Sequence, residues 1–189
     1  LAGLPVLCTD DIDAGMDISA EDQSTIAETL EIPEHVIRGL EIKEQYLAAI
    51  VGRTHDLIKD GHTRILIFAA SVKTTRLLAG LLASVGVKAS AITGATPKGE
   101  RDRAIKQFKR NEPDPIVLVN FGVLTTGFDA PQATAAVIAR PTKSLILFSQ
   151  MVGRVIRGPE AGGTSTCKVV SVVDTSLPAF GSIAEAFEN

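Results

Sequence analysis

The 189-residue chain is 45% hydrophobic and 22% charged, an ordinary globular balance that excludes disordered, collagen-like and coiled-coil classes. With 4% aromatic residues and no Trp the core must be aliphatic, and the longest apolar run, Ile65 to Ala70, is far short of the roughly 20 residues a membrane span needs. The net charge of −3 conceals an asymmetry: residues 1–60 hold 13 acidic and 4 basic residues, and the remainder holds 9 and 15.

That basic body fits a polyanionic partner such as nucleic acid or nucleotide phosphate, and equally a solvated mixed-sign surface. Its densest stretch is Lys98, Arg101, Arg103, Lys106, Lys109 and Arg110. Cys8 and Cys167 form neither a disulfide framework nor a metal cluster, which predicts a reducing, cytoplasmic compartment. No signal-peptide pattern opens the chain, and Leu1 in place of Met predicts a piece of a longer protein.

In chain order, Pro5–Thr9 reads as a short strand and Asp10, Asp11, Asp13 and Asp17 as an acidic turn region. The aspartates lack the Gly and Glu spacing of a calcium loop, so no metal ligands are predicted. Glu41 to Lys59 reads as a helix with Ile42, Tyr46, Ala49, Ile50, Leu57 and Ile58 on one face, stopped by Asp60-Gly61-His62. A regular alternation follows. Strands are predicted at Arg64–Ala69, Val87–Ile92, Pro115–Val119, Ala133–Ala139 and Lys168–Val173. Helices are predicted at Val72–Val85, Lys98–Lys109 and Ser144–Ile156, and Ala179–Asn189 reads as a helix cut short. Strands apolar on both faces, alternating with helices, predict an α/β fold with a parallel sheet wrapped by helices. Ligands of such sheets lie at the carboxyl ends of the strands, so the loops there are the place to look for a site.

Three segments carry candidate chemistry. Gln150-Met-Val-Gly-Arg154-Val-Ile-Arg157 places, on a continuous helix, residues 150, 154 and 157 within about 60° of one another. Two guanidiniums on one face repel unless an anion sits between them, and the planar fork of Arg suits phosphate oxygens; two surface arginines at helical spacing are the plain alternative. Thr125-Thr-Gly127-Phe-Asp129 offers hydroxyls, close backbone approach and a carboxylate for phosphate and ribose, or else an ordinary turn. Thr93-Gly94 precedes a helix whose start could receive a phosphate. Gly94 and Gly99 have the spacing of a Walker A loop, but Glu100-Arg101 follows where Lys and Ser or Thr are required.

Together the three blocks resemble the C-terminal motor domain of superfamily 2 helicases of the DEAD/DEAH type, in the branch allied to restriction-enzyme translocating subunits. Ile65–Ser71 looks like motif IV, Thr93-Gly94 with Arg101 and Phe108 like the next block, Thr125–Asp129 like motif V, and Gln150–Arg157 like motif VI. The resemblance spans roughly residues 40–175. It implies a RecA-like lobe over 39–189, with 1–38 an interlobe connection or the end of a preceding domain.

The roles it implies are these. Arg157 would be the arginine finger on the γ-phosphate, Arg154 its companion, and Gln150 a neighbour in the interlobe cleft. Gly127 and Asp129 would serve the nucleotide, while Ser71, Thr93, Gly94 and Thr125 would touch the nucleic-acid backbone. Thr126 stands where many relatives carry Glu. Gln at the head of motif VI, in place of His, tilts the expected partner towards DNA over RNA. Neither a Walker A loop nor a D-E-x-x box is present, so ATP with Mg2+ would be held by an N-terminal RecA-like lobe, and this chain alone would be inactive. A duplex-DNA translocase, a non-catalytic nucleotide- or partner-binding module and a nucleotide-sugar transferase are the competing readings.

Overall fold

The computed structural model describes residues 6–29, 31–123, 132–142, 144–155, 167–174 and 177. Among them, strands β1 (Val6–Ile12), β2 (Arg64–Phe68), β3 (Lys88–Ile92), β4 (Ile116–Asn120), β5 (Ala135–Ile138) and β6 (Lys168–Asp174) form one sheet. Every pairing is parallel, in the order β1-β6-β5-β2-β4-β3. Helices α1 (Ala20–Thr29), α2 (Glu34–Leu40), α3 (Glu44–Lys59), α4 (Val72–Ser84), α5 (Lys98–Phe108) and α6 (Leu145–Val152) lie between the strands.

Side chains alternate across a strand, and the central strands β2, β4 and β5 are buried along their whole length. Ile65, Ile67, Val117, Val119 and Val137 therefore face one layer, where they pack with Ile26 of α1, Leu40 of α2, Tyr46 and Ile50 of α3, and Leu78 of α4. Leu66, Phe68, Leu118, Ala136 and Ile138 face the other, against Phe108 of α5 and Phe148 and Met151 of α6. Two apolar layers on one sheet explain why its strands carry no polar face.

The N-terminal segment differs most from the sequence pattern. β1 runs through Asp10 and Asp11, which the composition alone places in a turn, and it pairs with β6 from Val6↔Lys168 to Ile12↔Asp174. α1 and α2 follow, each sending few residues inward: Ile26 from α1, and Val36 and Leu40 from α2. α3 starts at Glu44, three residues later than its periodicity predicts, because Glu41 is the C-cap of α2 and Lys43 caps α3. Ile42, assigned by the pattern to the helical face, lies between the two helices and is 70% exposed.

Two polar anchors hold the sheet ends. Arg64, 3% exposed at the start of β2, donates only to backbone carbonyls: Nε to Phe108 at 2.7 Å, Nη1 to Thr63 at 2.7 Å and Asp114 at 2.8 Å, and Nη2 to Glu112 at 2.9 Å and to Arg110. The guanidinium thus gathers the connection from α5 to β4. At the opposite end the buried Tyr46 hydroxyl donates to the Ala139 carbonyl just past β5. Burial, with the Asp174 carboxylate adding to it, holds that phenol proton far above its ordinary range.

Candidate nucleic-acid and nucleotide interface

Because all strands are parallel, their carboxyl ends share one edge. The loops after β3, β4, β2 and β5 stand there side by side in that order. Asn120, the last residue of β4, is fully buried and bonds to the Ile67 carbonyl through Nδ2 at 3.0 Å. The backbone bond from Ala69 N to Asn120 O, 2.9 Å, ties the same two strand ends together. The edge is therefore a fixed platform.

Ser71 follows β2 and is the N-cap of α4: its Oγ accepts from Thr74 N at 3.1 Å. The same hydroxyl donates to Glu41 Oε1, and Lys73 Nζ stands 3.6 Å from the other Glu41 oxygen. Ser71 thus reaches the edge with its hydroxyl engaged by its own domain. Glu41, which sequence reasoning placed inside a helix, is its partner.

Thr93 follows β3 and is 2% exposed. Its backbone N–H donates to Thr96 Oγ1 at 2.9 Å, and Thr96 N returns a bond to Thr93 O at 3.0 Å, closing the turn before α5. What this loop offers to a partner is the exposed backbone at Gly94, where an added Cβ would meet nothing within 4 Å. Arg101, one turn into α5, donates to Thr96 O at 3.3 Å, while its buried Nε has no hydrogen-bond partner.

Gln150 lies exposed in the last turn of α6. The helix ends at Val152 with Gly153 as its C-cap, earlier than the Ile156 that the sequence pattern predicts. Arg154 sits past the cap in a tightened turn, Arg154 N to Met151 O at 3.2 Å and Val155 N to Val152 O at 3.0 Å. The continuous helical face carrying 150, 154 and 157 is accordingly corrected: Gln150 is on the helix and Arg154 beyond it. A Cβ at Gly153 would come 3.0 Å from Ser149 O, so its lack of a side chain serves the helix end. Arg157, and Thr125, Gly127 and Asp129, lie outside the described residues. Among the described residues no group of His, Cys, Asp and Glu is arranged to hold a metal ion, and no helix is long and apolar enough to cross a membrane.

Two features of the edge went unread in the sequence. Phe121, directly after β4, has its ring covered by Arg140, whose guanidinium carbon is 4.9 Å from the ring centroid. Burial lowers the Arg140 pKa from its ordinary value. Beside Phe121 opens a cleft of about 690 Å³ walled by α2 and the start of α4. Neither an isolated Phe nor α2 carries a motif that would have announced them.

This arrangement is the RecA-like α/β architecture of a helicase C-terminal lobe. The solved C-terminal domain of the DEAD-box protein Dbp5 superposes with a TM-score of 0.59 at 25% identity, covering 75% of this chain and 79% of that one. Residues 43–159, more than half of the sequence, match the family model described as "Helicase conserved C-terminal domain", and the chain belongs to that family. It is 35% identical over 94 residues to a 51.5 kDa protein of a Lactococcus phage (isolate 7-9), covering 50% of this chain and 20% of the phage protein. It is 36% identical over 92 residues to a Saccharomyces cerevisiae protein bearing the provisional name ATP-dependent helicase IRC3, covering 49% of this chain and 13% of that one. The matched part is thus a fifth or less of either relative. Three more distant yeast relatives are named as ATP-dependent rRNA or RNA helicases.

Proposed function

We propose that this chain is the C-terminal motor lobe of an ATP-dependent helicase, which grips a polynucleotide at its sheet edge and completes an ATP site held mainly by a second lobe. The observation carrying this reading is the motif-bearing loops after β2 and β3 on one rigid edge, within a chain of the helicase C-terminal family. Ser71 and the Gly94 backbone would meet the nucleic-acid backbone. Thr93 would support that contact from beneath, and Thr125 would join it from the loop after β4. The preference for DNA that Gln150 suggests is not supported by the relatives named as RNA helicases, so the reading stops at polynucleotide.

The residues around the end of α6 fit a phosphate chain. Gln150 is exposed, Arg154 is half-buried, and an amide and a guanidinium supply the donors that phosphate oxygens accept. Bound with Mg2+ on the other lobe, ATP would supply the free energy of phosphoryl transfer. Arg157 and Arg154 would offset charge on the transferring group, and Gly127 and Asp129 would position the nucleotide. An arginine in that role is worth about 10³–10⁵ in rate. Closure of two lobes that each hold the strand backbone, followed by release, becomes stepping.

The test is steady-state ATP turnover by the full-length protein with and without single-stranded DNA, duplex DNA and RNA. Stimulation by a polynucleotide is expected. ATP binding with no stimulation by any of the three would refute the motor.

A further inference from the structure

The cleft beside Phe121 combines an aromatic wall with unequal charge. Arg38, Lys73 and Arg76 line it against two carboxylates, Glu34 and Glu41. Arg38 is matched by Glu34 at 2.7 Å and Lys73 by Glu41 at 3.6 Å, whereas Arg76 has no ion-pair partner among the described residues. The cleft is positive on balance, with its spare guanidinium on the first turns of α4.

One face of the Phe121 ring is taken. Arg140 covers it and lines a separate cleft of about 340 Å³ with Pro141 and Leu147, not the larger one. Phe121 itself lines the larger cleft and not the smaller one. The ring is held from behind by its backbone: Phe121 N donates to Ile92 O at 3.2 Å, and Gly122 follows with φ +70°, turning the chain away. Topology completes the placement. β4 lies between β3 and β2, whose ends, about 10 Å apart at two strand spacings, lead into Gly94 and Ser71. A polynucleotide touching both crosses the end of β4, where Phe121 stands.

We propose that Phe121 is a stacking platform for one unpaired base of the bound polynucleotide, with Arg76 taking a neighbouring phosphate. The assignment rests on the polynucleotide reading above. Aromatic stacking tolerates any base because every base has a π-face, so the platform adds affinity without sequence preference. Arg140 covers one face of the ring, and the base would stack on the other.

The test uses the full chain and single-stranded oligothymidylate, with affinity measured by fluorescence anisotropy at several salt concentrations. Phe121→Ala should weaken binding about five- to a hundredfold while leaving the salt slope unchanged, since stacking releases no counterions. Arg76→Ala should lower that slope by about one. Phe121→Trp should retain binding, and its indole, the single Trp of a sequence that otherwise has none, should be quenched by saturating oligonucleotide. Wild-type affinity in Phe121→Ala, or an unquenched indole in a bound Phe121→Trp complex, overturns the stacking and leaves the polynucleotide reading standing. Failure of the wild-type chain to bind overturns both.

Discussion

Truncating Arg64 is predicted to be among the most damaging single changes outside the apolar core. Its guanidinium is the partner of five carbonyls, four of them between Phe108 and Asp114. Arg64→Ala strips the buried Phe108 carbonyl of a charged donor, a loss of about 1–3 kcal/mol. The other acceptors are only part-buried and can rehydrate, which reduces their joint cost to about 1–2 kcal/mol. Relief of the penalty for burying a cation offsets part of the total. A net destabilisation of about 3 kcal/mol follows, a drop in Tm of roughly 6–12 °C for a domain of this size. Arg64→Lys should fall between, because an ammonium with three donors cannot span the same acceptors. Arg64→Met, which keeps the stem, should recover little. The assay is thermal unfolding by circular dichroism, paired with hydrogen exchange, where amides 109–115 should exchange faster in the variants. A Tm within about 2 °C of wild type for Arg64→Ala would refute the argument and show that water serves these carbonyls as well as the guanidinium does.

Tyr46→Phe leaves the Ala139 carbonyl without its donor in a buried site, and should cost about 1–3 kcal/mol, read from urea unfolding midpoints with an unchanged m-value. The Asp22 carboxyl is held below its ordinary range by the Ser19 hydroxyl first and by His35 second, so the carboxylate's contribution to the contacts it makes is present above about pH 4 and is lost as pH falls through the lowered folded value. NMR titration of Asp22 should show that depression, and His35→Ala should move its midpoint upward; an unmoved midpoint would remove His35 from the account. In the full-length protein Arg157→Ala should keep ATP binding and lose about 10³-fold or more in kcat, and unchanged turnover would make Arg157 a surface charge. The chain alone should hydrolyse ATP no faster than buffer, and robust turnover would defeat the split-site argument.

The alternation from Arg64 onward was legible because central parallel strands are apolar on both faces, and their helices begin and end at recognisable residues such as Ser71 and Gly86. The N-terminal elements were less so: Pro5–Thr9 marked the start of β1 but not its continuation to Ile12. β1 carries acids within a strand, α1 buries only Ile26, and α2 spans seven residues, too short for a period to show. Strand order was equally out of reach, since it depends on which buried edges meet across the fold. At the site, the motif residues announced themselves by spacing, but their burial did not: nothing in Thr93-Gly94 says that the Thr turns inward and the Gly backbone outward. Glu41 acts through Ser71, 30 residues away, and Phe121 and Arg140 act through each other, 19 residues apart, and isolated residues of common type give no local signal of such meetings.

The pairing of β1 with β6 also sets an order of assembly. β5 has β6 as one of its two neighbours, and β1 has only β6 among the described pairings. A chain emerging from the ribosome presents β2, β3, β4 and β5 long before β6 exists. Until β6 arrives, β5 keeps one bare edge and β1 lacks its described partner, and such an edge is a template for pairing with other chains. Synthesis of this lobe therefore has a vulnerable interval, closed by the arrival of β6. Substitutions that weaken β6 should show first as insoluble product during expression and only second as a lowered melting temperature.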